Sequence, residues 1–423
     1  MSILIKNVLL DGKEKDIYIE GSLIEEIKDS GRGKRTAETE FVIDGKDKAV
    51  IPGLINAHTH AAMTLLRGYA DDMPLHEWLE TKIWPTEAKI TVDDAYWGTK
   101  LACLEMIKSG TTFFNDMYWH WQGSARAVAE SGIRAALSAV FIDGFDEEKA
   151  KEQIKRNEAL YEASKKLSDR IVFALGPHAI YTVSEESLCW TRDFAEKHEL
   201  LVHIHLSETE EEVAECRKRY GMRPVEFLAE IGFLSSRTIA CHCIHLSRKE
   251  LELLKKHNVK IVHNPVSNMK LASGRMPYED LKKAGLYSNI AIGTDGCASN
   301  NNLDMFEELK VASLVHKAFS GDPTSMPAEE AFELATRNAA KMFGLNSGVV
   351  EAGRLADVVL LDLKNVGLVP NHNLTSNIVY SANGSCVDSV ICDGKILMEG
   401  RHVEGEEEIQ EKARAVAYAL VKQ

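Results

Sequence analysis

The sequence lacks the features that define several classes of protein. Its formal net charge is −14, from 50 basic and 64 acidic residues, so it has no excess of basic residues for a nucleic-acid surface. Its eight cysteines show no regular spacing, which argues against a disulfide framework. No apolar run approaches the roughly 20 residues that a membrane helix needs, and no signal peptide is visible. These absences predict a reduced, cytoplasmic, soluble protein without a nucleic-acid or membrane partner.

The middle of the chain alternates short apolar runs with segments of helical period. Such near-continuous apolar runs are typical of a parallel sheet that is covered on both faces. The eight candidate strands are residues 53–60, 110–117, 133–143, 171–178, 200–208, 238–246, 260–268 and 289–296. Eight strand–helix units predict an α/β fold, a TIM-type (β/α)8 barrel over residues 53–346. An open doubly wound sheet is the alternative, but no glycine-rich phosphate loop follows the first strand.

Both ends of the chain are β-rich. Residues 1–52 and 353–403 contain short β-branched runs separated by turns such as Asp11-Gly12 and Asp393-Gly394. Neither end has enough strands to bury a core alone. We therefore expect residues 1–52 and 347–423 to pair into one small β-sandwich domain beside the barrel.

Helix boundaries are marked by capping residues. Thr91 and Asp94 form a capping-box pattern ahead of a long helix, and Ser184 precedes another. Residues 326–344 read as one helix, with Pro327 near its first turn and Gly344 after its last.

Polar residues gather at the predicted strand ends. The pairs His58/His60 and His203/His205 are each spaced by two, so the members of a pair share a face of their strand. Imidazoles are costly to bury unpaired against the helices, which favours the mouth of the barrel lumen. Neutral imidazoles suit zinc or iron, and a carboxylate can complete such a site. The other candidates are His178, Glu208, His242, His245, His263 and Asp295.

A single strand histidine is more often a satisfied core residue than a ligand. A purely structural role is a weaker explanation for His58, His60, His205 and Asp295 together. Each of these polar groups would have to be buried and hydrogen-bonded for its own independent reason. His245 reads as a structural residue, and Cys241 and Cys243 as small buried ones. We expect no catalytic or metal-binding role for His198, His257 and His316, which fall in helical segments.

Several motifs resemble those of the amidohydrolase superfamily, in its aminohydrolase branch. They are "PGLINAHTH", "HIHLSETEEE", "CHCIHL", "HNPVSNMKLASG" and "GTDGCASNNNLDMFEEL". The chain is most similar to the 5'-methylthioadenosine/S-adenosylhomocysteine deaminase family, and especially to its archaeal 5'-deoxyadenosine deaminases. The segments 78–89 and 175–184 carry the resemblance to this adenosine-type subgroup, which spans nearly the whole chain.

The resemblance implies metal-dependent deamination of adenosine-type nucleosides by one divalent metal per subunit, zinc or alternatively iron. The implied metal ligands are His58, His60, His205 and Asp295. Glu208 would be the proton shuttle, and His242 would hold and polarise the attacking hydroxide, with Asp295 as the third catalytic group. The implied substrate contacts are Glu87 on the ribose hydroxyls, His178, Glu208, Asp295 and, lining the pocket, Trp78. The family also implies a homo-oligomer, a dimer or tetramer.

Two other functions stay open from the sequence. One is an aminohydrolase acting on a free base such as guanine or cytosine, or on a triazine, although Glu87 and His178 favour a nucleoside. The other is a barrel that binds a ligand without catalysis, which would be expected to have lost part of the metal set.

Two absences refine the resemblance. Two-metal relatives carry a lysine at the end of strand 4, and here that strand ends "FALGPHA", which favours one metal. Relatives that use adenosylhomocysteine well carry an arginine near the end of strand 3, which is missing here. Lys149 or Lys151 would supply only a point charge. We therefore expect small 5' groups to be preferred over adenosylhomocysteine.

Overall fold

The computed structural model describes residues 1–31 and 39–422. In this described part, sixteen strands form two eight-stranded sheets. The strands are β1 (Ser2–Leu10), β2 (Lys13–Glu20), β3 (Leu23–Asp29), β4 (Phe41–Asp44), β5 (Lys48–Pro52), β6 (Leu54–Thr59), β7 (Thr111–Tyr118), β8 (Arg134–Phe141), β9 (Ile171–Pro177), β10 (Leu201–Leu206), β11 (Thr238–His242), β12 (Lys260–His263), β13 (Ile290–Ile292), β14 (Val358–Asp362), β15 (Val387–Cys392) and β16 (Lys395–Met398).

The strands β6 to β13 form the predicted barrel. They pair in chain order, and each pair of neighbours is parallel. The first and last strands are joined where the Asp295 N–H donates to the His58 carbonyl at 3.0 Å. Gly293 permits this approach, since a Cβ there would lie 2.6 Å from the His58 nitrogen. The TIM-type barrel prediction is confirmed.

Helices cover the barrel, and none of them in the described residues is long and apolar enough to cross a membrane. The capping predictions are confirmed, because the Thr91 and Ser184 side chains accept from the N–H groups of Asp94 and Ser187. The helices are α1 (Leu75–Trp78), α2 (Trp84–Glu87), α3 (Val92–Lys108), α4 (Trp121–Ser131), α5 (Glu147–Ser164), α6 (Glu185–His198), α7 (Glu210–Tyr220), α8 (Pro224–Glu230), α9 (Arg248–Lys256), α10 (Pro265–Lys270), α11 (Tyr278–Lys283), α12 (Met305–Ser320), α13 (Ala328–Leu334), α14 (Arg337–Phe343), α15 (Leu374–Tyr380) and α16 (Glu406–Lys422).

The helix predicted over residues 326–344 is in fact two helices. α13 ends at Leu334, and α14 begins at Arg337. Between them the Ala335 carbonyl accepts from the Ile55 N–H of β6 at 2.9 Å. A continuous helix would use that carbonyl internally, so the break exchanges one helical bond for a contact that supports the first barrel strand.

The second sheet joins the two ends of the chain. Its order is β16-β15-β14-β5-β1-β2-β3, with β4 also paired to β1. The junction is the antiparallel pair β5–β14, in which Ile51 faces Val359. The prediction that both β-rich ends build one small domain is therefore confirmed. The boundaries at residues 52 and 347 remain predictions.

An ion-pair cluster ties the base of the barrel to this terminal sheet. The Arg134 guanidinium, at the start of β8, donates to Asp357 Oδ2 at 3.0 Å and also pairs with Asp393. Both Arg134 and Asp357 are buried. Burial raises the pKa of Asp357, and Arg134 opposes that rise. Removing the arginine would therefore leave an uncompensated buried carboxylate.

We expect Arg134→Met to lower the free energy of unfolding by about 3–5 kcal/mol, because breaking a buried pair strands the remaining charge. Urea unfolding followed by tryptophan fluorescence measures this. The control is Lys151→Met, which breaks an exposed pair with Glu148 and should leave the midpoint unchanged. Equal midpoints for the two variants would contradict the role given to Arg134.

Candidate active site

A cavity lies at the carboxyl ends of the barrel strands. This is the end at which the chemistry of such barrels takes place. Nearly all the predicted site residues line it: His60, Trp78, Glu87, His178, His205, Glu208, His242 and Asp295. His58 lies just below, fully buried and 3.3 Å from Asp295.

A β-bulge turns His58 into the lumen. Ile55 and Ala57 belong to the lumen core, so strict alternation would aim His58 at the helices. Asn56 pairs with Phe114 and Thr59 pairs with Asp116, so β6 advances by three residues where β7 advances by two. An extra residue of this kind re-aims side chains. The prediction that His58 faces the lumen is right, although strand alternation alone does not explain it.

The end of β10 presents two groups in different ways. His205 points into the lumen from the strand itself. Ser207 then takes a left-handed conformation with φ 53°, and the chain turns so that Glu208 enters the cavity. The Glu212 carboxylate holds this turn by accepting from the N–H groups of Ser207 and Glu208, both at 2.8 Å. The main-chain turn at Ser207, which Glu212 holds in place, thus sets the position of Glu208.

His242 reaches the cavity through backbone strain. Cys241 belongs to the lumen core, so its neighbour would normally point outward. At His242 the φ is 71°, which turns the ring back toward the site. Its Nδ1–H donates to Asn268 Oδ1 at 2.8 Å, and its Nε2 lies 3.8 Å from Glu208 Oε2. Such strain, of order 1–3 kcal/mol, is commonly found at functional sites.

Three histidine nitrogens and one carboxylate oxygen converge. Asp295 Oδ1 lies 3.3 Å from His58 Nε2 and 3.2 Å from His60 Nε2, and His205 Nε2 lies 3.3 Å from His60 Nε2. Ligands about 2.0–2.1 Å from a tetrahedral zinc ion are about 3.3 Å apart. His58 Nε2 is also buried without a hydrogen-bond partner among the described residues. The donor set therefore fits a divalent metal.

The opposite nitrogen of each of these rings is occupied. His60 Nδ1–H donates to the Met117 carbonyl at 2.6 Å, and His205 Nδ1–H donates to the His178 carbonyl at 2.8 Å. Their Nε2 atoms are left to face the common centre. Burial lowers the pKa of His58 to about 4 and that of His205 well below its usual range, whereas Asp295 outweighs burial and raises the pKa of His60 to about 9.

The carboxylate is held in a similar way. Asp295 has a left-handed φ of 62°. Its Oδ2 accepts from the hydroxyls of Ser267 at 2.6 Å and Ser299 at 2.9 Å. Burial would raise the pKa of Asp295, but His58 and His60 outweigh it and hold that pKa well below the usual value. The group is therefore ionised.

Glu87 adds a third carboxylate to the lining of the cavity. Burial raises the pKa of Glu87 to about 7, and nearby Tyr118 opposes the rise. Glu87 Oε1 is buried without a hydrogen-bond partner in the described part of the chain. His178 lies across from it, with Nδ1 2.9 Å from Thr182 Oγ1, and Trp78 is buried in the wall with its Nε1–H on the Ala70 carbonyl. This end of the cavity thus offers an unsatisfied acceptor to a ligand.

A wider outer cavity adjoins the first, and both are lined by Trp84, Glu87, Trp119, Ile142 and Tyr181. Arg156, on α5, lines this outer cavity. It has no hydrogen bond or ion pair with any described residue, and burial lowers its pKa. The strand-end pattern in the sequence does not point to Arg156, because it lies well inside α5, more than two turns after the helix begins at Glu147.

Some sequence candidates lie elsewhere. Lys149 and Lys151 are exposed and line neither cavity. His245 is structural, as expected, with Nε2 2.8 Å from the Ser273 carbonyl. His263 is not at the site: it alternates with the lumen residue Val262, faces the helix layer and contacts His316 of α12 at 3.1 Å.

The fold and the site place the chain in a broad class, the TIM-type barrels that carry metal-binding side chains at the carboxyl ends of their strands. Comparison with known proteins then gives its family. The model of the amidohydrolase family matches residues 49–397. The chain belongs to this family.

Individual relatives cover the full length. The 5'-deoxyadenosine deaminase of Methanoregula boonei is 50% identical, over 100% of this chain and 96% of the relative. The 5-methylthioadenosine/S-adenosylhomocysteine deaminase 1 of Archaeoglobus fulgidus is 49% identical, over 99% of both chains. The crystal structure of an adenosine deaminase from Xanthomonas campestris with bound zinc has a TM-score of 0.92 at 33% identity, covering 100% of this chain and 98% of that one.

We expect Asp295→Ala to abolish tight zinc binding, because it removes the carboxylate that lies beside the imidazoles of His58 and His60. The measurement is zinc content after dialysis, by atomic emission. The matched control is Asp357→Ala, another buried aspartate, which lies at the base of the barrel and should keep its zinc. Full zinc in the Asp295 variant would show that the ligands lie elsewhere.

Proposed function

We propose that this protein catalyses metal-dependent hydrolytic deamination of adenosine-type nucleosides to the inosine analogues and ammonia. The proposed substrates are 5'-deoxyadenosine, 5'-methylthioadenosine, S-adenosylhomocysteine and adenosine. The observation that carries the proposal is one cavity with the metal-type donor set, Glu208 and His242 on one side and the buried carboxylate of Glu87 on the other. The names of the full-length relatives support it.

In this proposal His58, His60, His205 and Asp295 hold one divalent ion, zinc or alternatively iron. Such an ion would lower the pKa of water toward about 7, so that a nucleophile is available at neutral pH. The zinc in the Xanthomonas campestris relative supports this choice of metal.

Glu208 would move the protons. Its carboxylate takes a proton from the attacking water and delivers one to ring nitrogen N1 as the water oxygen bonds to C6. The C6 hydroxyl then passes its proton through Glu208 to the exocyclic amine and becomes a carbonyl, while the C6–N6 bond breaks and the amine leaves as ammonia. Burial raises the pKa of Glu208, which suits a group that must both accept and donate near neutral pH.

His242 would orient the attacking water. Because its Nδ1–H is committed to Asn268, its Nε2 presents a lone pair to the cavity beside Glu208. The hydroxyls on Asp295 Oδ2 leave Oδ1 to face the same space. Two acceptors thus flank the point from which water would attack.

Glu87 would bind the ribose. A carboxylate can accept hydrogen bonds from both hydroxyls of a diol, and Glu87 Oε1 has no competing donor in the described structure. Its position between the two cavities would place the purine toward Glu208 and the 5' group in the outer cavity. His178 and Trp78 would contact the substrate within the inner cavity.

The alternative of a free base or triazine substrate is less well supported. A free base would leave Glu87 Oε1 buried without a hydrogen-bond partner, which costs free energy, and the ribose hydroxyls of a nucleoside would supply one. Homo-oligomerisation and the absence of a nucleic-acid partner stay predictions.

We expect Glu208→Gln to abolish turnover of 5'-deoxyadenosine while the protein keeps its zinc, because the change removes the proton carrier and no ligand. The measurement is a spectrophotometric screen of adenosine analogues for inosine products, with metal analysis on the same samples. Glu211→Gln is the matched control. Glu211 is an exposed glutamate on α7, three residues from Glu208, and its variant should retain both metal and turnover.

No ammonia release from any purine nucleoside by the zinc-loaded wild type would contradict the proposed function. Loss of zinc in Glu208→Gln would contradict the assignment of Glu208 as a shuttle.

We expect kcat/KM to be higher for 5'-deoxyadenosine and 5'-methylthioadenosine than for adenosylhomocysteine. β8 ends without an arginine, and of the two arginines that line the wide outer cavity, Arg156 and Arg219, the second is paired with Glu215. Steady-state kinetics with the three substrates tests the order, with Arg156→Gln in parallel. That variant should lower kcat/KM about 10–100-fold for adenosylhomocysteine alone, since a bond between charged groups contributes about 1.5–3 kcal/mol. A clear preference for adenosylhomocysteine would contradict the order.

A further inference from the structure

A chain of buried polar side chains crosses the lumen below the candidate metal site. His58 Nδ1 lies 2.7 Å from His203 Nε2, and the two rings meet edge to face at 89°. His203 Nδ1 lies 3.2 Å from the hydroxyl of Ser138 on β8. That hydroxyl lies 3.5 Å from Asn115 Oδ1 on β7. All four residues are buried, and the proposed reaction uses only the first.

His203 is not a ligand of a second metal. His58, His203 and Cys241 place ligand-type atoms within 4.8 Å of one another, which resembles a metal cluster. However, two ligands of one tetrahedral zinc ion are about 3.3 Å apart. The 2.7 Å between the two imidazole nitrogens is a hydrogen-bond length.

The position of the metal-type donors decides the direction of this bond. His58 Nε2 faces Asp295 and must carry a lone pair to bind a metal, so the ring proton sits on Nδ1 and is donated to His203 Nε2. His203 then carries its own proton on Nδ1 and donates it to Ser138. Asn115 Nδ2 is also 3.2 Å from that nitrogen, but it donates to the Ala57 carbonyl at 3.0 Å.

We propose that His203 is a positioning residue for the metal site, because it accepts the Nδ1–H of His58 and keeps the Nε2 lone pair directed at the metal. This inference rests on the proposed function. Without that acceptor, a neutral His58 ring would be more stable with its proton on Nε2. There Asp295 Oδ1, 3.3 Å away, can accept a hydrogen bond from it. The ligand nitrogen would then be blocked.

Among the three histidine ligands, His58 is the one whose Nδ1–H depends on another side chain for its hydrogen-bond acceptor. The Nδ1–H groups of His60 and His205 donate to main-chain carbonyls, those of Met117 and His178, which no substitution removes. The Nδ1–H of His58 has the side chain of His203 as its acceptor. Partners of this kind typically contribute about 10–100-fold in metal affinity.

The test is the zinc Kd of the demetallated full-length protein, measured by competition with a chromophoric chelator at fixed pH. We expect His203→Met, which keeps the volume but removes the acceptor, to weaken zinc binding by about 10–100-fold. His203→Gln can present its amide oxygen near the position of Nε2 and should bind zinc within about threefold of wild type. His263→Met is the matched control: it removes an equally buried histidine outside the site and should leave the Kd unchanged.

An unchanged Kd in His203→Met, or a loss in His263→Met as large as in His203→Met, would overturn the inference. If His203→Met does not fold, Ser138→Ala takes its place, because it removes the next acceptor with little change in volume; weaker zinc binding supports the inference and an unchanged Kd overturns it. A wild-type protein that binds no zinc would overturn the proposed function instead, so the two failures are distinguishable.

Discussion

The contact between the first and last barrel strands is the constraint on which the site depends. The Asp295 N–H donates to the His58 carbonyl, and Asn56 Nδ2 donates to the Thr294 hydroxyl at 2.7 Å, so this seam closes the barrel and sets the metal-type donors side by side. Residues from opposite ends of the barrel segment thereby meet at 3.3 Å. Gly293 is required at this seam because a Cβ would clash with β6.

Strain in the backbone is concentrated where the strands end. Ser207, His242 and Asp295 all have positive φ, and each lies within or directly beside a group of the candidate site. Left-handed non-glycine residues cost of order 1–3 kcal/mol each and persist when their surroundings hold them. Here Glu212 holds the turn at Ser207, Asn268 holds the His242 ring, and two hydroxyls hold Asp295. The site is thus preorganised before any ligand enters.

Two buried carboxylates, Glu208 and Glu87, make the two sides of the cavity chemically different. Glu208 lies beside His242 and the donor set, and Glu87 lies where the inner cavity opens into the outer one. Burial raises the pKa of both. Carboxyl groups with raised pKa values in one cavity are typical of sites that move protons or bind polar ligands. The proposed substrate, with a purine at one end and a diol in the middle, would use each carboxylate for a different task.

The sequence by itself determined the order of the eight barrel strands, the pairing of the two β-rich ends, the helix caps at Thr91 and Ser184 and the candidate residues themselves. These follow from local periodicity, capping chemistry and motif resemblance. Tertiary structure alone decided where several side chains point. The bulge in β6 aims His58 into the lumen, a left-handed φ brings His242 in, alternation on β12 turns His263 away, and α5 delivers Arg156 to the outer cavity. The physical reason is that these orientations depend on strand register, backbone strain and distant contacts, which a pattern read along one segment does not contain.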